Sequence, residues 1–401
     1  MDINPQALKG YRVLDLATMV AAPYCASIMG EFGAEVIKVE IPERGDPLRK
    51  FGTLSATGTS FSWLSEARNK KSITLDLRKP EGVAIAKELV KQSDIVTENF
   101  RPGTLARWGL GDEVLKSIKP DIIVVSVSAY GQTGPYKARP GYARIAHGFS
   151  GLTHLCGEPD RVPAVPGSSA LADYISGLYA AVGALLALVA RNRFGIGQCI
   201  DVGLYEGMLR MLDDLIPVYG KTGEIRHRIG GDNINAVPHN HYRTRDGKWV
   251  ALACSNDKMF ARLAKIMGRE DLLEPNKLAE MESRIAHREE VNRLVGDWVA
   301  GLDHDVVCEL CSAGDVPFGP INTAADLFRD PHIRSRNNLL EIDAPGEGPV
   351  TIPNVFPCLS ATPGRVASLG PKLGEHNDEI YRNLLGLGDM ELQRLREANV
   401  I

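Results

Sequence analysis

The sequence predicts an α/β fold, a parallel sheet with helices on its faces, joined to a smaller α+β domain. Three observations carry this. Strand-like and helix-like pieces alternate through the first third of the chain. The 401 residues, 44% of them hydrophobic, suffice for a large core and two or three domains. A Gly-, Asn- and charge-rich stretch, Glu224–Pro238, reads as a crossover, and a hairpin pattern follows it.

Arg12–Leu16 (RVLDL) and Glu35–Glu40 (EVIKVE) read as strands, with a helix over Pro23–Phe32 between them. Ser72–Leu77 (SITLDL) is a third strand. Pro80–Gln92 is a helix whose proline suits the first turn, where no N–H is needed. Asp94–Glu98 and Asp121–Val127 are strands flanking another helix. Tyr142 to Phe194 is expected to be mostly helical, and Gln198–Leu204 returns to strand before a further helix. Tyr242–Ala253 reads as a hairpin turning at Asp246-Gly247, and helical patterns continue to about Cys311. The expected domains are residues 1–215 and 330–401 for the larger and 225–325 for the smaller, with the return beginning near Asn322.

Acids and bases are interspersed, and the net charge of -4 gives no reason to expect nucleic-acid binding. The N-terminal residues lack a basic stretch followed by an apolar run, so no signal peptide is expected. The longest apolar segment, Gly177 to Ala190, is short for a bilayer and reads as a buried core helix, so no membrane partner is expected. The seven cysteines are scattered and odd in number, which suits a reducing, cytoplasmic setting.

Asp173 stands out. A polar loop feeds the apolar helix that begins near Leu171, and Asp173 is the one carboxylate at its start. Acids are rare in buried apolar helices. The helix N-terminus favours the ionised form, and a poorly hydrated carboxylate is a competent nucleophile toward a thioester. A simple helix cap is the alternative. The turn Ala17–Tyr24 contains no glycine, so it offers no Gly-x-Gly-x-x-Gly dinucleotide cradle. Its backbone can still lie along a nucleotide, or it is an ordinary βα loop. Cys308-x-x-Cys311 has no second pair and reads as packing on one helix face. His239 and His241 share one face of a strand without further ligands, so no metal is expected. Arg139 and Arg144 flank a turn and suit a carboxylate, or are solvated surface charge.

Taken in order, several segments resemble the class III CoA transferases, the family of formyl-CoA transferase and the carnitine CoA transferases. They are Leu8–Leu16, Gly33–Glu40 with Gly45-Asp46, Asn69–Leu77 and Glu98–Gly103 (ENFRPG). Ser128–Pro135, Leu171–Gly177 (LADYISG), Gly197–Glu206, Val316–Pro320 and Leu373–His376 (LGEH) continue the series over nearly the whole chain. Tyr130–Tyr136, Ala143–Leu152, Val237–Cys254 and Asn256–Ala264 resemble the branch that moves CoA from succinyl-CoA to dicarboxylates of the L-malate, citramalate or benzylsuccinate type.

The resemblance implies a Rossmann-like large domain built from both chain ends, a small domain, and an interlocked dimer, either with itself or with a related chain. It implies Asp173 as the nucleophile. CoA contacts fall on Met19, Val20, Leu75, Arg78, Asn99, Phe100 and Arg107, with Arg78 keeping the charge of a lysine in the formyl-CoA enzyme. That enzyme's glycine-rich lid is not reproduced; Gly230-Gly231 is what the sequence offers nearby. The second carboxylate of a dicarboxylate needs a cation, for which Arg139, Arg144, His147, His239 and His241 are candidates. The acyl-CoA and the acid are substrates, and no separate cofactor is expected. Two alternatives share the fold. An α-methylacyl-CoA racemase needs a Gly-His-Asp histidine where this chain has Pro140-Gly141-Tyr142-Ala143, and tyrosine, with a reference pKa of about 10, is a poor base at neutral pH. A supporting subunit of a heteromeric transferase would not need Asp173.

Overall fold

The computed structural model describes residues 5–165, 167–168 and 170–401. The chain divides into two compact units. The larger comprises residues up to 152, then 166–221 and 334–401; the smaller comprises 153–165 and 222–333.

The larger unit holds a six-stranded parallel sheet of β1 (Arg12–Asp15), β2 (Glu35–Glu40), β3 (Lys70–Thr74), β4 (Ile95–Glu98), β5 (Ile123–Ser128) and β6 (Cys199–Gly203). Their spatial order is β3-β2-β1-β4-β5-β6. Its helices include α1 (Ala21–Glu31), α2 (Phe61–Glu66), α3 (Pro80–Lys91), α4 (Thr104–Arg107), α5 (Asp112–Ile118), α6 (Ala143–Phe149), α8 (Leu171–Phe194) and α9 (Leu204–Arg210), while the short α7 (Leu152–Leu155) falls mostly in the smaller unit's chain segment. Successive strand residues point to opposite faces. Val13, Val36, Ile95 and Val125 join a core with α1, α6, α8 and α9. Leu14, Ile37, Val96 and Val124 join another with α3, α5 and the C-terminal Tyr381, Leu392 and Ile401. Both faces are therefore covered, which is why Val, Ile and Leu fall on both faces of the central strands. Each fully buried aliphatic side chain contributes roughly 1.5–3 kcal/mol. The parallel α/β prediction holds, with the C-terminal segment packed on the same sheet.

Two local expectations change. The strand read over Ser72–Leu77 lies at Lys70–Thr74, because Asp76 turns its N–H to the Val400 carbonyl, at 2.8 Å, and its carboxylate to Arg78. The stretch from Tyr142 to Phe194 is mostly helical as expected, broken at residues 156–165, where Gly157 and Pro163 stand. The core-helix reading of α8 holds for only one face. Ala172, Ser176, Gly177, Ala180, Ala181 and Ala184 are buried, whereas Leu178, Val182, Leu185, Leu186 and Val189 are exposed. The small residues let α8 lie close to α1. A Cβ on Gly177 would come within 2.4 Å of the Ala21 carbonyl oxygen, so nothing larger than glycine fits.

The smaller unit carries an antiparallel sheet of β7 (His239–Arg243), β8 (Trp249–Ala253) and β9 (Phe318–Pro320). Tyr242, Val250, Leu252, Phe260, Val295 and Val307 share its core. The β7–β8 turn falls at Asp246-Gly247 as expected, closed by the Gly247 N–H on the Thr244 carbonyl at 3.0 Å.

Strand order reverses between β1 and β4. In an open parallel sheet the crevice beyond the carboxyl ends at such a point is where ligands bind.

Candidate active site

Two clefts flank that crevice. One, of about 560 Å³, is lined by Met19, Val20, Asn99, Ser128, Arg144 and Asp173, among others. The other, of about 320 Å³, is mostly apolar, with Leu16, Val39, Leu75, Phe100 and Trp108 in its walls and Arg44 and Arg78 beside them. Thr18 and Pro47 line both, so the clefts adjoin along the loops after β1 and β2.

Asp173 is the third residue of α8 and sits in the helix's first turn. Burial pushes its carboxyl up to about 6. The helix end was expected to hold it ionised, but desolvation outweighs that effect. A group with this pKa is still roughly nine-tenths ionised at pH 7, and its weak solvation favours attack on a carbonyl.

His147 has a different role from the substrate contact expected of it. It is buried on α6, and its Nε2 accepts the Ala172 N–H at 3.0 Å. Burial, followed by repulsion from Arg144, lowers its pKa. A neutral ring with that lone pair engaged is no cation for a carboxylate. Instead it satisfies one of the spare N–H groups at the α8 N-terminus, next to Asp173. Sequence reading missed this because nothing local marks a histidine as the cap of a helix 25 residues away.

The loop between β1 and α1 is fixed by buried groups. Met19 has φ 65°, the left-handed region, which an L side chain enters at a cost of roughly 1–2 kcal/mol. Its N–H donates to the Asp46 carboxylate at 3.0 Å. Asp46 pairs with Lys38 at 3.0 Å, and Lys38 also donates to the Ala17 carbonyl. Burial works against the Lys38 charge, but Asp15 and Asp46 outweigh it and raise its pKa. Lys70 donates to Asp15 at 2.8 Å. Asn99 holds the same loop from the other side, its Oδ1 accepting the Thr18 N–H and its Nδ2 donating to the Thr18 carbonyl.

The other expected contacts divide. Met19, Val20 and Asn99 line the Asp173 cleft, whereas Leu75, Arg78 and Phe100 line the apolar one. Arg78 forms a double hydrogen bond to Asp76, at 2.8 and 2.7 Å, with its guanidinium still largely exposed. Trp108, edge-on to Phe100 at 5.0 Å between ring centres, and the exposed Arg44 were not anticipated. Arg107 lines neither cleft; its guanidinium donates to the Thr104 hydroxyl. Arg144 is exposed and lines the Asp173 cleft, whereas Arg139 stacks on Tyr136 at 3.7 Å in a small neighbouring pocket.

His239 and His241 belong to β7 of the smaller unit, the first half-buried and the second exposed. Cys311 lies in that unit's core with Cys308 packed beside it. Among the described residues no three His, Cys, Asp or Glu side chains form a metal cluster.

Comparison with known proteins places the chain. The model of CoA-transferase family III matches residues 8–377. The chain is 50% identical over 396 residues to the succinyl-CoA–L-malate CoA-transferase beta subunit of Chloroflexus aurantiacus, covering 98% of each. It is also 50% identical over 395 residues to the alpha subunit from Chloroflexus aurantiacus, covering 98% of this chain and 92% of that one. A crystal structure of a CAIB/BAIF family protein from Brucella suis superposes with a TM-score of 0.84 at 35% identity, covering 95% of this chain and all of that one, 100%. This chain belongs to CoA-transferase family III and is an enzyme that transfers coenzyme A.

Proposed function

We propose that the enzyme moves CoA from succinyl-CoA to L-malate or a closely similar dicarboxylic acid, with Asp173 as the nucleophile, in an assembly of two chains of this family. The observation that carries the reading is Asp173, a half-buried carboxylate in a cleft that adjoins an apolar slot with two arginines beside it. The 50% identity to both named subunits of the L-malate enzyme supports the substrate pair.

Asp173 attacks the thioester carbonyl, forming a mixed anhydride and releasing CoA thiolate. The thiolate attacks the aspartyl carbonyl, expelling succinate and leaving an aspartyl-CoA thioester. The acceptor carboxylate displaces CoA to form a second anhydride. The thiolate then attacks the acceptor's acyl carbonyl, giving the new thioester and restoring the Asp173 carboxylate. Each step exchanges one activated acyl group for another, so the sequence balances without ATP. Arg144, at the exposed edge of the cleft, holds the carboxylate that does not react.

The direct test offers a panel of acids with succinyl-CoA and follows new thioesters by mass spectrometry. L-malate is expected to be converted best; no transfer to any dicarboxylate would sink the substrate assignment. Arg144→Ala should lower kcat/KM for succinyl-CoA about ten- to hundredfold, as loss of a charge-assisted hydrogen bond does. Butyryl-CoA, which lacks the terminal carboxylate, should be used poorly by wild type and be little affected by the substitution. Equal losses with both donors would remove Arg144 from carboxylate recognition.

The pH profile supplies a further prediction. Only the ionised form of Asp173 attacks, so kcat/KM should fall about tenfold per unit below a pKa of about 6 and level off above it. A flat profile from pH 5 to 7, in protein that circular dichroism shows to be folded, would contradict this.

A further inference from the structure

Buried polar side chains nearly always find a hydrogen-bond partner, and an exception calls for an explanation. Among the described residues, buried atoms of Ser128, Gln132, Arg191, His239 and His376 lack one. Of these residues, Ser128 is the one that lines the cleft containing Asp173. It is the last residue of β5, at the carboxyl end of the sheet, and only 8% exposed. A hydroxyl kept out of water with no protein partner is destabilising. Alanine in its place would avoid that cost.

The neighbouring groups narrow what it meets. Asn99 already exchanges two hydrogen bonds with Thr18. Tyr142 and Arg144, which line the same cleft, are exposed. A permanent carboxylate calls for a cation, which Arg144 offers at the edge. A neutral, preorganised O–H suits an oxygen that gains negative charge only during reaction. The reacting carbonyl must come to Asp173, in the cleft that the Ser128 side of β5 also lines.

We propose that Ser128 is a substrate-contacting residue whose hydroxyl donates to the carbonyl oxygen of the acyl group under attack, stabilising the oxyanion of each tetrahedral intermediate. This rests on the transferase reading of the cleft. No bond to Ser128 forms or breaks; its proton stays on Oγ while the carbonyl oxygen takes up and gives back the electron pair.

The test uses the full-length enzyme in its native assembly, with Ser128→Ala, Ser128→Thr and Asp173→Asn beside wild type. The readouts are steady-state kinetics with succinyl-CoA and the best acceptor acid, and thermal unfolding. Ser128→Ala should lower kcat roughly 10- to 100-fold and leave KM for succinyl-CoA within about threefold, the pattern of an interaction made only in the transition state. Its Tm should not fall, because no protein hydrogen bond is lost. Ser128→Thr, which keeps the hydroxyl, should recover most of kcat. Wild-type kcat in Ser128→Ala overturns the proposal, as does a rise in KM alone. A drop in Tm that Ser128→Thr does not rescue overturns it too, by assigning a structural role. If wild type moved no CoA, or Asp173→Asn kept full activity, the failure would lie with the transferase reading of the cleft and not with Ser128.

Discussion

Asp173→Asn is expected to remove CoA transfer almost completely while making the folded protein more stable. The amide is close in shape to the carboxyl but cannot form an anhydride, and no other carboxylate lines the cleft among the described residues. A loss of at least about ten-thousandfold in kcat is reasonable for deletion of a covalent nucleophile. The stability gain follows from linkage. The folded-state pKa of about 6 exceeds the model value of 3.8. The folded state thus binds this proton more tightly than the unfolded chain does. The favourable contribution is complete below about pH 3.8 and is lost as pH rises through about 6, leaving an ionised, poorly solvated group at neutral pH. Asn has nothing to ionise, so it should recover on the order of 1–3 kcal/mol at pH 7 and raise Tm. Activity above about one per cent of wild type would refute the nucleophile assignment. A lower Tm would favour the helix-capping alternative.

The second large effect concerns association. Leu178, Val182, Leu185, Leu186 and Val189 recur at helical spacing along the outer face of α8 and are 40–65% exposed. A contiguous apolar stripe of this kind is unusual on a monomer and marks a surface that something covers. By length and composition α8 would also pass for a membrane span, but 44% of its apolar window is buried in the protein, so one face is already committed. The two-chain assembly proposed above supplies an occupant, a second chain of this family. Leu186→Glu places a charge in the centre of the stripe. Each large aliphatic withdrawn from water contributes roughly 1.5–3 kcal/mol, and an unpaired buried carboxylate costs more. Dissociation should therefore become at least about a hundredfold easier. In sedimentation velocity, wild type should run as a dimer at micromolar concentration and Leu186→Glu as a monomer. A monomeric wild type would remove the interface, and stable binding of wild type to lipid vesicles would assign the stripe to a membrane.

Much of the fold was written locally. Parallel strands buried on both faces are rich in Val, Ile and Leu, so RVLD, EVIKVE and IVVSVS announce themselves, and Pro80 and Asp246-Gly247 mark a helix start and a turn by their own backbone preferences. Asp173 was also legible, because an acid in the first turn of an apolar helix is conspicuous and the surrounding LADYISG belongs to an ordered series of family segments.

What the sequence could not supply are relations between distant residues. Asp15, Lys38, Asp46 and Lys70 are ordinary charges in sequence; the parallel register sets Asp15 beside Lys38, and Lys70 from β3 and Asp46 from the loop after β2 complete the buried network beside Met19. His147 changed from a substrate candidate to the cap of the helix carrying Asp173 because α6 packs it against the Ala172 N–H. Arg78 pairs with Asp76 because the chain turns sharply after β3. Local pattern records each residue's preference for water, oil or a backbone conformation, and so by itself determined the sheet, its helices and the place of Asp173 in the first turn of α8. The partner each charge meets, the face of α8 left uncovered and the buried hydroxyl of Ser128 depend on packing between segments far apart in the chain, which only the tertiary structure decided.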